Sequence, residues 1–239
     1  MADLFSKHQK VSGPVECLGK QFPNEQARRS HYIQLLAEKL KDPEFRKLEG
    51  FPNGSDEEIL RLSNPPYYTA CPNPFIEEFI KANGTSYEST VHVTKEPYAS
   101  DVSEGKNDPI YNAHSYHTKV PHKAIMRYIL HYTQPGEVVF DGFCGTGMTG
   151  VASQLCANKS AVESLGYKVL PDGRIAEQRT EGDKTSWVPF SRIGERKALL
   201  CDLSTAATFI ASNYNTPLDA DEFNQDLDRL LKSVEADLG

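Results

Sequence analysis

No C-x-x-C pair occurs in these 239 residues, and the five cysteines (Cys17, Cys71, Cys144, Cys156, Cys201) are scattered. That spacing argues against a zinc module and a disulfide framework, and favours reduced thiols in a cytoplasm. No run of 18 apolar residues occurs, so no membrane span is expected. The opening "MADLFSKHQKVSGPVE" lacks the apolar core of a secretory signal. Basic excess is missing too: 26 Lys and Arg face 33 Asp and Glu, a net charge of −7. Bulk charge therefore does not grip nucleic acid, although a local basic groove stays open. Apolar residues make up only 38%, low for a compact domain but too many for general disorder. A core is expected, with much exposed surface or a surface that docks onto something. No internal repeat is visible.

What is present falls into two regions, 1–113 and 114–239. Residues 1–24 read as a polar arm. Residues 25–48 place Tyr32, Leu35, Leu36 and Leu40 at helical spacing, broken at Asp42-Pro43. Ser55 with Glu58 three residues on is a capping box, so a short helix should run to about Leu62. The Pro-rich stretch "LSNPPYYTACPNPF" follows, then a helix ending at Asn83-Gly84. Residues 85–116 are polar and irregular, with Tyr87, Tyr98, Tyr111 and Tyr116 interspersed.

From His117 the pattern sharpens. "PHKAIMRYILHYT" puts Ile125, Ile129 and Leu130 on one helical face. "GEVVFD" is a short apolar strand, "GFCGTGMTGVASQLC" a glycine-rich turn entering a helix, and "RKALLCD" a second strand ending in Asp202. A helix capped by Ser204 and a polar amphipathic helix close the chain. The alternation predicts an α/β fold: part of a doubly wound, Rossmann-like sheet after a mainly helical N-terminal region. An insertion at about 160–195 carries Asp172-Gly173 between β-prone residues, a hairpin signal.

The glycine turn is the most informative stretch. A strand delivers Asp141, and glycines at 145 and 147 would let backbone approach a ligand closely. Gly145, Gly147 and Gly150 also spell G-x-G-x-x-G, so a dinucleotide is a rival ligand. That rival expects a ribose-binding acid about 20 residues on, whereas Asp202 lies about 50 residues on. An acid ahead of the glycines suits a positively charged group and repels a pyrophosphate. A plain strand–helix turn without a ligand is the third reading.

The stretch "HTKVPHKAIMRYILHYTQPGEVVFDGFCGTGMTGVAS" resembles the linked motifs of amino-group DNA methyltransferases, which modify N6 of adenine or N4 of cytosine, in permuted order. Thr118, Pro121, Pro135, Gly136, Asp141, Phe143, Gly145, Thr146 and Gly147 fall on that pattern, and Lys119-Val120 departs from it. The resemblance covers roughly 114–215. It implies S-adenosylmethionine as cofactor and DNA as substrate, in the setting of restriction and modification. Asp141 and Thr118 would lie near the methionine end, and Pro121 belongs to the same motif. Gly142, Phe143, Cys144, Gly145, Thr146 and Gly147 would line the pocket. Asp202, with Leu203 beside it, would take the ribose diol. Asp202 at a strand end suits a ribose independently, its plainer reading being a helix N-terminal charge.

In this family Asn-Pro-Pro-Tyr accepts the two hydrogens of the target amine and stacks on the flipped base. Asn64, Pro65, Pro66 and Tyr67 have those identities, but their setting differs. A capped polar helix precedes them where the family has a buried strand. Only about 50 residues separate Tyr67 from His117, too few for three strands with their helices. The setting favours a rigid loop packed beside the cofactor fold, or a cover over cofactor or base. The catalytic loop and the target-recognition part are then expected in a remaining segment or subunit. A non-catalytic S-adenosylmethionine-binding or assembly module is the alternative, and a nicotinamide-dependent oxidoreductase a third class. The grouped His114, His117 and His122 lack the partners of a metal set, so no metal is expected. The tyrosines of 85–116 could stack bases, or serve as packing anchors.

Overall fold

The computed structural model describes residues 13–84 and 95–238. Two compact units divide the chain: 1–30 with 216–239, and 31–215.

The first unit opens with a β-hairpin where the sequence reads as an arm. Strand β1 (Val15–Cys17) pairs antiparallel with β2 (Lys20–Phe22). Leu18 and Gly19 both take positive φ at its two-residue turn, the backbone twist that suits tight hairpins. Helix α1 (Glu25–Lys39) begins here. Asn24 caps it, its side-chain oxygen accepting from the Ala27 N–H at 2.8 Å, and Arg28 is buried against Glu25. The same unit holds the final helix α9 (Ala220–Leu238), which leaves Phe223, Leu227, Leu230, Leu231 and Val234 exposed along its length.

In the second unit α1 buries Tyr32, Leu36 and Leu40, while Leu35 faces solvent. A small core joins Leu40, Phe45 and Ile59 under helix α2 (Asp56–Leu62). The Ser55–Glu58 capping box forms as expected, and helix α3 (Ile76–Asn83) ends at Gly84. A single helical turn, α4 (Pro109–Asn112), follows, and then α5 (His122–Tyr132). Tyr98 packs on α5, edge-on to Tyr128 and stacked on His131 at 4.9 Å, and so serves as a packing anchor. Tyr87 lies outside the described residues.

The larger core gathers Met126, Ile129 and Leu130 of α5 with Ala152 of α6 (Met148–Leu155), and then Cys156. Val162 of α7 (Lys159–Glu163), Leu165 and Ile175 complete it. Against it lies Val139 of β3 (Val138–Asp141), a strand paired in parallel with β7 (Lys197–Leu200). Among the described residues this sheet has two strands, one parallel pair, where a doubly wound sheet was expected. On the face opposite Val139, Val138, Lys197 and Leu199 are half-buried and Lys197 bonds Asn83 of α3, while Phe140 is 67% exposed.

The insertion between α7 and β7 forms its own sheet, β4 (Lys168–Val169), β5 (Arg174–Glu181) and β6 (Lys184–Arg192). The Asp172-Gly173 turn joins β4 to β5, with Gly173 at φ +81°. The longer β5–β6 hairpin, turning at Gly182, was not legible from periodicity. Helix α8 (Thr205–Asn215) follows β7, its Ala207 N–H bonded to Ser204 Oγ at 3.2 Å.

Candidate functional site

The parallel pair brings Asp141 and the segment after β7 together. Cys201 donates its backbone N–H to the Asp141 carbonyl, and Cys144 donates to the Cys201 carbonyl, both at 2.9 Å. These bonds extend the strand pairing one step and turn the chain into the glycine loop. Asp141 Oδ1 accepts the Phe143 N–H at 3.1 Å, and Oδ2 accepts the Thr149 hydroxyl at 2.6 Å. Asp202 braces the loop from the other strand: Oδ2 accepts the Gly145 N–H and Oδ1 the Ser204 N–H, both at 2.9 Å. Both carboxylates thus hold backbone in place, and each oxygen keeps a second lone pair for a ligand.

A pocket of about 100 Å³ opens beside Asp141. Of the residues expected to line it, Thr118, Asp141, Phe143, Cys144 and Gly145 do. Pro121, Gly142, Thr146, Gly147, Asp202 and Leu203 stand outside its wall. Pro121 is instead the N-cap of α5, and Leu203 is 78% exposed. Lys119, Val120, Ile125, Met148 and Thr149 complete the wall and were missed as site residues. Thr149, a hydroxyl in the first turn of α6 just after the glycine loop, was the available signal. A larger groove of about 380 Å³, lined by Phe45, Leu48, Pro72 and Pro74 with charged neighbours, lies elsewhere and contains neither carboxylate.

The glycines also make room for neighbouring protein. A Cβ on Gly147, at φ +83°, would lie 2.7 Å from Ala211 Cβ, and one on Gly150 would lie 2.3 Å from Asn215 Oδ1. A Cβ on Gly145 would meet the Tyr116 ring at 3.2 Å. The close approach they permit is by helix α8 and Tyr116, so α6 and α8 can cross tightly. Asn215 completes that crossing by donating to the Gly147 carbonyl at 3.1 Å.

Burial and the nearby Asp202 and Asp141 carboxylates push the Cys144 thiol up to about 12, so it is an inert wall residue. Thr146 Oγ1 is buried with no partner among the described residues. Of the three histidines, His114 bonds Tyr214 at 2.9 Å, His122 is buried 3.9 Å from Asp108, and His117 is exposed.

Asn64-Pro-Pro-Tyr67 forms a rigid loop after α2. Asn64 and Tyr68 exchange backbone hydrogen bonds of 2.9 and 3.0 Å around a cis Pro65–Pro66 bond. Pro65 and Pro66 are buried, the Pro66 carbonyl accepts from Asn73 Nδ2 at 2.9 Å, and Tyr67 is 60% exposed. Tyr68 sits edge-on to Phe209 of α8 at 6.4 Å, and burial raises its phenol above the usual value despite a hydrogen bond with Thr208. None of the four lines the Asp141 pocket.

The chain is of mixed α/β type, with an acid-tipped strand, a glycine loop and a small pocket at the carboxyl edge of a parallel pair. The chain belongs to the DNA methylase family of N6/N4 type, whose family model matches residues 5–169. The matched span takes in both Asn64–Tyr67 and the glycine loop and stops before Asp202. No curated protein and no solved structure matches the chain.

Proposed function

We propose that this chain is the cofactor-binding portion of an S-adenosylmethionine-dependent DNA methyltransferase acting on N6 of adenine or N4 of cytosine. Membership of the DNA methylase family supports methyl transfer to DNA. The observation that carries the cofactor reading is the pocket at the tip of β3, with Asp141 and the glycine loop in its wall. At about 100 Å³ it is a small site, suited to the amino-acid end of a ligand. The donor set fits: a carboxylate, hydroxyls and loop backbone suit an ammonium-bearing group. The cofactor supplies an activated methyl group on a sulfonium. Asp141 would hold and orient its amino-acid end, Thr118 and Phe143 would flank it, and Asp202 would lie toward the ribose.

In this reading residues 114–239 form the Rossmann-like cofactor part, and 1–113 a mainly helical N-terminal region. Asn64–Tyr67 act as a rigid loop outside the pocket, followed by Tyr68 on Phe209 of α8. The exposed Phe140 ring supports a further methyltransferase segment or subunit that covers it and brings the amine clamp and target recognition. Calorimetry with S-adenosylmethionine, S-adenosylhomocysteine and NAD tests the proposal: the first two should bind with a stoichiometry of one and NAD should not. Binding of NAD alone would point to the oxidoreductase class instead.

A further inference from the structure

Helix α9 carries an open apolar stripe. Ala220, Phe223, Leu227, Leu230 and Val234 follow one another at alternating steps of three and four, the seam spacing of helix-on-helix pairing, and Leu231 widens the seam on one side. The five large side chains are each between 40% and 51% exposed. Helices in proteins draw most of their stability from packing such a face, so a 19-residue helix with an open one lacks its usual support. The charges are sorted around the stripe. Asp221, Asp228 and Glu235 recur every seven residues and form a row along one border. Asp219 and Asp226, again seven apart, line the other border with Glu222. The two cations between 219 and 236, Arg229 and Lys232, fall on the back of the helix, where Arg229 pairs with Asp226. A second copy of α9 would set carboxylates against carboxylates, and an anionic membrane surface would meet the same rows.

We infer that α9 is a docking helix for a second protein, covered by an amphipathic helix whose apolar seam is bordered by lysine and arginine. Burial of the seam supplies the affinity, and the acidic borders select the partner and its register. The inference stands apart from the cofactor reading, since α9 contributes no residue to the Asp141 pocket.

Two synthetic three-heptad helices serve as probes, identical in their leucine seam, one flanked by lysines and the other by glutamates. In calorimetry at low salt the chain should bind the lysine peptide about 10-fold or more tightly than its twin, and the gap should narrow as salt screens the borders. Hydrogen exchange should slow within 220–236 when the lysine peptide binds. Leu227→Ser with Leu231→Ser should abolish that binding. Reversing one border, Asp228→Lys with Glu235→Lys, should shift the preference toward the glutamate peptide. The same change of charge at the tip of the β5–β6 hairpin, Glu181→Lys with Asp183→Lys, should leave the preference as it is. No binding of the lysine peptide, or equal binding of both, overturns the inference. So does a hairpin reversal that matches the α9 reversal, because the acidic chain would then attract any cationic peptide. A chain that dimerises by itself, and loses the dimer in Leu227→Ser with Leu231→Ser, also overturns it, since α9 would then be covered by a second copy.

Discussion

Replacing Gly150 with alanine gives a test whose sign should reverse with its neighbour. The new Cβ would stand 2.3 Å from Asn215 Oδ1 and 2.7 Å from its Cγ, so the Asn215 side chain must leave. Leaving breaks its bonds to the Gly147 and Ala211 carbonyls, at 3.1 and 2.8 Å, and the bond it accepts from Gln154 at 3.0 Å. Three bonds at about 1 kcal/mol each, partly replaced by water, come to about 2–3 kcal/mol. Alanine in a helix interior returns about 1 kcal/mol over glycine. Gly150→Ala should therefore destabilise by about 1–2 kcal/mol. With Asn215→Gly already in place nothing has to leave, and the same change should stabilise by about 1 kcal/mol. Urea denaturation of the four proteins, with unchanged slopes, reads the coupling directly. Equal destabilisation in both backgrounds would refute the account of the glycine as a packing device.

Other outcomes follow from the site. Asp141→Ala and Asp202→Ala should each weaken S-adenosylhomocysteine binding by about 1–3 kcal/mol in calorimetry, and wild-type affinity in both would remove the proposed pocket. Cys144 has a thiol pushed up to about 12 in the folded chain from an ordinary 9.0, so folding favours its protonated form. Its stabilising contribution is whole below pH 9 and is lost as pH rises toward 12. Urea titrations at pH 8 and pH 10.5 should show a smaller alkaline loss in Cys144→Ala than in wild type. Methyl incorporation into double-stranded DNA should stay at background for the chain alone and appear when the segment that covers Phe140 is supplied. Asn64→Ala should then reduce turnover only modestly, and turnover by the 239-residue chain alone that Asn64→Ala abolishes would make that loop the active site.

Local order was legible where the signal was local. The Ser55–Glu58 capping box, the Asp172-Gly173 turn, and the helices ending near Asn83 and starting after Ser204 depend on neighbours a few residues apart. Asp141 was legible because a strand, an acid and glycines follow one another without interruption. Lys119 and Tyr116 were not, because their roles come from contacts with carbonyls and a glycine that no periodicity encodes. The packing of α8 on Gly147 and Gly150 was not legible for a physical reason: close approach looks the same in sequence whether a ligand or a helix approaches. The β1–β2 hairpin escaped notice because three-residue strands carry too little alternation to register. β7 ends at Leu200, two residues before Asp202, so the second acid sits in the connection to α8 and not on the strand.

Buried Arg196 has a consequence for how freely this protein can be remodelled. Its guanidinium donates to the Arg192 and Gly194 carbonyls and Ser191 Oγ on one side, and to the Thr133 carbonyl and hydroxyl on the other. It rivets the root of the β5–β6 hairpin to the end of α5, while the hairpin beyond Ala176 is open to solvent apart from half-buried positions. The exposed span from Gln178 to Trp187 is free of that rivet in the mechanical sense. It can be shortened, lengthened or replaced by a reporter without loosening β7, provided the buried roots, residues 174–177 and 188–196, are left alone.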